Sequence, residues 1–237
     1  MASYKRMALI WRRMAGIGAI VTCTGLMVLL TITLSKTIVA GNANIATDCF
    51  TEDVFLKKKH GSDREYIQMQ LLTAENENII RIKRSSKKAL YRSTIIYDPN
   101  SYEIIESRDI FISGVSFLKV NSMRIPEGFL IKTRTPSEEK KIILPRRHTD
   151  GIYHAEMLPF LVPCMKYRSN PEKIIVFEPR VARVLATRVV PKKGGFLQYS
   201  NDVRKVIIEC NRNYRVKSIV ETIGGIEEEF VASEENF

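Results

Sequence analysis

The sequence predicts a mainly β protein, an antiparallel meander preceded by one N-terminal hydrophobic helix. Three observations carry that expectation. Short β-branched and aromatic runs recur about every 8–12 residues, separated by turn-forming residues, which is the spacing of a meander and not of βαβ units. No long amphipathic helical stretch interrupts them. Near the N-terminus, Met14–Ser35 runs without a single charge.

That apolar stretch comes first in the chain. As a helix rising about 1.5 Å per residue it is long enough for a hydrocarbon core of about 30 Å. Lys5, Arg6, Arg12 and Arg13 precede it and only Lys36 follows closely. Basic residues stay on the cytoplasmic side, so the C-terminal bulk is expected to be translocated. Two alternatives stay open: an uncleaved anchor, or a signal peptide cut after Ala40 or Ala43. Cys49 follows Thr47-Asp48, which is unlike a lipoprotein processing site. The expected organisation is a leader over 1–43, a linker over 44–64, a β-domain over 65–225 and an acidic tail over 226–237. A first edge strand around Asp53–Leu56 is the alternative for the linker.

Composition fits a folded domain. Apolar residues make up 45% and charged residues 27% of the chain, ordinary for a globular protein. The net charge is +11, but residues 1–43 hold five basic residues and no acid. The modest excess that remains favours anionic surfaces such as phospholipid headgroups or acidic polymers, and no nucleic-acid partner is expected. Of the four cysteines, Cys23 lies in the apolar stretch. Cys49, Cys164 and Cys210 show no metal-ligand spacing and permit either one disulfide or three thiols.

The expected strands follow in order. Tyr66–Leu72 alternates apolar and polar residues, and Asn78–Lys83 follows a turn at Glu75–Asn78. Ala89–Tyr97 is β-branched and aromatic. Asp98-Pro99-Asn100-Ser101 is a turn, because proline fixes φ while Asp and Asn bond the local backbone. Tyr102–Ile105, Asp109–Phe117, Ser122–Ile125, Phe129–Thr133 and Lys141–Leu144 continue the series. The pattern changes at Thr149, where Ile152, Ala155, Leu158, Leu161 and Met165 approach helical spacing. Thr149 or Asp150 is a candidate N-cap, while Pro159 and Pro163 oppose a regular helix. One or two helical turns over 151–158 are expected, then a buried irregular stretch. Strands resume at Lys173–Phe177, Ala182–Val190, Phe196–Tyr199, Val203–Cys210 and Tyr214–Thr222, with a hairpin turn at Asn211-Arg212-Asn213.

The order of these pieces, over about residues 62–225, resembles a family of exported bacterial β-proteins of unknown function, similar in shape to the LolA/LolB lipoprotein carriers. The matching stretches are Asp150-Gly151 leading into Met157-Leu158-Pro159-Phe160-Leu161, then Ile175-Val176-Phe177-Glu178-Pro179, then Ile207–Asn211 and Arg215–Glu221. Where members often carry tryptophan and aspartate in the last hairpin, this chain has Glu209-Cys210-Asn211. The resemblance implies a curved sheet or half-barrel with a short helical plug in its mouth. It also implies a bacterial periplasmic or other extracytoplasmic location, and a concave apolar face for a lipid, a lipoprotein or an envelope partner. On that reading Ile152, Leu158, Phe160, Leu161 and Phe177 line the apolar face.

Chemical signatures are sparse. His148, Asp150 and His154 cluster in sequence, but zinc sites want three or four ligands with a supporting shell, and Asp150 serves better as a cap. Cys164 lies between Pro163 and Met165, which favours a buried inert thiol over a nucleophile. No phosphate-binding glycine loop, zinc-protease helix, nucleophile elbow or calcium loop appears. No cofactor and no catalytic residue is expected. The basic pairs Lys140-Lys141 and Arg146-Arg147 are candidates for an anionic-ligand rim. Lys57–Lys59, Lys87-Lys88 and Lys192-Lys193 read as solvated loop and edge charges that also block edge pairing. The function expected is therefore non-enzymatic binding of a lipid, lipoprotein or envelope polymer. The alternative is a structural or interaction subunit of a cell-envelope assembly, with a filled interior and an exposed apolar patch.

Overall fold

The structure, a computed structural model, describes residues 52–60, 62, 64–74, 77–146, 151–165, 172–191, 196–211 and 215–233. The chain divides into Met1–Val39 and Ala40–Phe237, and the described residues belong to the second unit. Met14–Ser35 and the cleavage positions lie outside them. Among the described residues no helix is long and apolar enough to cross a membrane.

Among the described residues fifteen strands form one sheet. The first half comprises β1 (Val54–Lys58), β2 (Tyr66–Ala74), β3 (Glu77–Ser85), β4 (Ala89–Tyr97), β5 (Ile104–Ser113), β6 (Ser116–Ile125), β7 (Gly128–Arg134) and β8 (Glu139–Pro145). The second comprises β9 (Ile152–His154), β10 (Glu172–Glu178), β11 (Arg183–Pro191), β12 (Phe196–Ser200), β13 (Arg204–Cys210), β14 (Val216–Ile223) and β15 (Ile226–Ala232). The order across the sheet is 8-7-6-5-4-3-2-1-15-14-13-12-11-10-9. Two meanders thus meet where β1 pairs β15, and the sheet is open at β8 and β9.

Alternation decides which side of each strand is buried. Tyr91, Ser93, Ile95 and Tyr97 point inward from β4, and Arg204, Val206 and Ile208 from β13. Ile80 and Ile82 do so from β3. These inward faces join one core, which requires the sheet to curl. Asp109 on β5 and His154 on β9 are eleven strand spacings apart in the sheet, about 50 Å if it were flat. Their side chains are nevertheless 3.1 Å apart.

Several expectations are corrected. The meander is antiparallel except at β9 and β10, which are parallel. The connection between them holds the sole α-helix among the described residues, α1 (Leu158–Leu161), and a 3₁₀ turn at Val162–Cys164. A parallel pair needs such a crossover. The expected helical turns over 151–158 are instead strand β9 and a turn, with the helix starting at Leu158. Pro159 lies in its first turn, where a missing N–H costs nothing. Thr149 and Asp150 lie outside the described residues.

The linker over 44–64 contains β1, which sits mid-sheet between β2 and β15 rather than at an edge. The acidic tail is no tail as far as Ala232: β15 pairs with β14 and β1. Phe230 is buried in the core, and Glu228 and Glu229 bind Lys58 and Lys59 at 2.7 Å and 2.9 Å. Asp109–Phe117, read as one strand, spans the β5–β6 hairpin turn at Gly114-Val115. At the start of β7, Gly128 has φ +147°, and a Cβ there would stand 1.8 Å from the Leu144 carbonyl oxygen. No larger residue fits that approach.

Candidate functional site

Two polar clusters lie within the apolar interior. The first is built on Asp109 of β5, which accepts hydrogen bonds from the Tyr91 hydroxyl at 2.6 Å and the Ser107 hydroxyl at 2.7 Å. With its proton given to Asp109, Ser107 accepts from Ser122 at 2.8 Å. The His154 Nδ1 accepts the Glu156 backbone N–H at 3.2 Å, so the ring proton is on Nε2, facing Asp109 at 3.1 Å. His154 and Asp109 are wholly buried. Burial, then the Asp109 charge, pushes the Tyr91 hydroxyl well above its ordinary pKa. Both ring nitrogens of His154 have partners within the protein.

The second cluster joins three arginines and three glutamates. Arg204 at the start of β13 is 2% exposed and grips Glu178 with two bonds of 2.6 Å and 2.7 Å. It also donates to Glu221 at 3.0 Å and Glu156 at 2.6 Å. Arg84 of β3 donates to Glu156 at 3.0 Å and bonds Glu221. Burial pushes Glu156 upward, but Arg204, Arg84 and Arg180 outweigh it and hold this carboxyl well below the usual range. Glu221 is likewise lowered: burial opposes this, and Arg84 and Arg204 prevail. Burial also works against the charge on Arg204, and its three glutamates overcome it.

Arg180, in the turn between β10 and β11, is the loosely held member. Its side chain is 27% exposed, and its nearest carboxylate oxygen, on Glu156, is 3.5 Å away. Its Nε is buried without a hydrogen bond. The guanidinium lies 5.8 Å from the ring centres of both Tyr91 and Phe111. Arg180 lines a cavity of about 410 Å³ whose walls include Leu90, Phe111, Phe117, Leu118, Ile223 and Phe230. That volume lies within the range of small-ligand sites, and beside its apolar walls the cavity is lined by Arg84, Glu221 and Glu228 as well as Arg180.

The residues chosen from sequence sit elsewhere. Ile152, Leu158, Phe160, Leu161 and Phe177 are all buried in the core, and none lines this cavity. Phe177 packs edge-on against Phe129 and His154 at 5.6 Å and 5.8 Å. The stretch resembling a plug is therefore packing, because its apolar side chains fill the space beneath the curled sheet. The expected rim does not form a rim. Lys140 pairs with Glu138, whereas Arg146 lies beyond the other end of β8, about 20 Å along an extended strand. Arg147 and His148 lie outside the described residues, as do Cys49, Lys192 and Lys193. Among the described residues no group of His, Cys, Asp and Glu could hold a metal ion.

Cys164 is not a thiol: it is disulfide-bonded. Cys210 is free, and burial, with Glu209 nearby, pushes its pKa up to about 11. The functional residues missed from sequence are Arg180 and the buried clusters. Their signal was a charged residue in phase with an apolar stripe, as Arg84 is with Ile80 and Ile82, and Glu221 with Ile219.

The described residues form a single-sheet β-domain with a half-open, largely apolar cavity. No family model matches the chain, and no curated protein matches it. Among solved structures it is similar to a beta-barrel-like protein of domain of unknown function DUF1849 from Brucella abortus. The identity is 11%, the TM-score 0.50, and the match covers 76% of this chain and 94% of that one. The likeness is one of fold alone.

Proposed function

We propose that this is a non-enzymatic, extracytoplasmic binding domain that holds an amphiphile, its acyl portion against Phe111, Leu118 and Phe230 and its anionic group on Arg180. The observation carrying this is the pairing of that apolar cavity with a guanidinium whose Nε has no hydrogen-bond partner. Arg204 and Arg84 hold buried carboxylates at 2.6–3.0 Å, whereas Arg180 holds Glu156 at 3.5 Å, so Arg180 is the cation most readily drawn to a ligand. A lipid, or the acyl group of a lipoprotein, has this chemistry; an envelope polymer suits an apolar cavity less well. The likeness in shape to LolA/LolB-type carriers belongs to this reading. Location outside the cytoplasm is supported by the basic-flanked apolar stretch and by the Cys164 disulfide, since such bonds persist in oxidising compartments. A non-enzymatic role is supported by the occupied His154 nitrogens and the oxidised Cys164.

The test is displacement of a fluorescent fatty-acid analogue from the full-length protein. Wild type binds saturably. Arg180→Ala weakens binding about 10–100-fold, the worth of one hydrogen bond to a charged group. Leu118→Trp, which fills the cavity, abolishes it. Unchanged binding by both variants would refute the site.

A further inference from the structure

The β5–β6 hairpin presents an apolar tip to solvent. Val115 is fully exposed, and Ile112 and Phe117 beside it are exposed as well. Exposed apolar side chains taken singly need no explanation, but three at one tip do. Next to this tip, on the outer face of the sheet, lies a shallow depression of about 360 Å³ walled by Lys83, Lys88, Arg92, Tyr66 and Ile112. Its lining holds three cations and no carboxylate. Lys83 stands directly opposite Arg92 across β3 and β4. Like charges placed so oppose strand pairing, so the depression keeps this pair at a cost to the local ladder. The depression and the internal cavity share Ser85, Ser86, Ala89, Leu90 and Ile112 in their walls, which puts tip, cations and cavity mouth at one corner of the sheet.

We infer that this corner docks onto the surface of an anionic phospholipid bilayer. Ile112, Val115 and Phe117 enter the headgroup boundary, and Lys83, Lys88 and Arg92 meet the lipid phosphates. Charge complementarity fixes the occupant's sign, and the apolar tip selects a bilayer over a dissolved polymer, which has no interior for it to enter. Docking here brings the cavity mouth to the surface that supplies or accepts an amphiphile. Docking does not require the cavity to be filled.

The test uses the full chain, in which Trp11 is the only tryptophan. Trp11→Phe is combined with Val115→Trp, or with Asn100→Trp at the opposite ends of β4 and β5 as the control. Each is incorporated into vesicles of phosphatidylcholine alone or with added phosphatidylglycerol. The tryptophan at 115 is expected to emit at shorter wavelength and to be quenched by brominated acyl chains only when the anionic lipid is present, while that at 100 stays solvent-like. Reversing all three charges (Lys83→Glu, Lys88→Glu, Arg92→Glu) is expected to weaken docking by about 100-fold or more, since each cation contributes about fivefold. Emission at 115 that ignores the anionic lipid, or equal quenching at both positions, overturns the inference. Fatty-acid displacement in the same preparation separates the two proposals: ligand binding with an undocked tip refutes this one alone.

Discussion

Replacing Arg204 with methionine tests whether the buried arginine–glutamate cluster holds the curled sheet closed. Arg204 touches three carboxylates at 2.6–3.0 Å, and they come from β10, β14 and the turn after β9. Without it, three buried carboxylates face Arg84 and the looser Arg180. Removing one partner of a buried ion pair costs about 3–5 kcal/mol. For a domain of this size each kcal/mol shifts the melting temperature by about 2–4 °C, so a fall of about 6–20 °C is expected. The pH dependence gives the sharper signature. In the wild type, Glu156 and Glu221 have folded pKa values below their unfolded ones. Their contribution is therefore present above about pH 4.3 and is lost as pH falls through the folded values. In Arg204→Met, burial dominates the uncompensated carboxyls and favours their neutral form. Stability then rises as pH falls from 7 toward 5, a range over which these two carboxyls leave the wild type unchanged. Thermal unfolding followed by circular dichroism across pH reads both effects. A loss below about 1 kcal/mol, or no rise in the variant's stability between pH 7 and 5, would refute the reasoning.

Three further outcomes are expected. Phe230→Ala removes a buried ring from β15 and costs about 3–5 kcal/mol in denaturant unfolding; a loss typical of a frayed tail, within about 0.5 kcal/mol, would contradict the placement of that strand. Gly128→Ala forces a Cβ onto the Leu144 carbonyl at a positive φ. It is expected to lower the melting temperature by at least the equivalent of about 1–3 kcal/mol, measured by calorimetry. Arg180→Ala leaves the unfolding free energy within about 1 kcal/mol of wild type, because the side chain is partly exposed and weakly paired. The same variant loses fatty-acid binding, which separates a ligand-facing role from a structural one.

The meander was legible because alternation and turn chemistry are local. Ala89–Tyr97 is read from sequence with the bounds the structure gives it, since its β-branched and aromatic run stops at Asp98-Pro99. The strand β15 was hidden because three consecutive glutamates mask the alternation that buries Phe230, and their cations, Lys58 and Lys59, lie 170 residues away. The parallel pairing of β9 was hidden because three residues set no period of their own. The apolar run Leu158–Leu161 was recognised as important, but local pattern does not separate a side chain lining a cavity from one filling a core. The charge clusters were illegible for the same reason of distance: Arg84 and Glu221 are 137 residues apart, and the curl of the sheet alone brings them together.

The most direct test of the account is lipid extraction and mass spectrometry on full-length protein purified from membranes, wild type beside Leu118→Trp. An amphiphile with an acidic head is expected, stoichiometric with the wild-type chain and absent from the variant. The same trace of bulk lipid in both would contradict it.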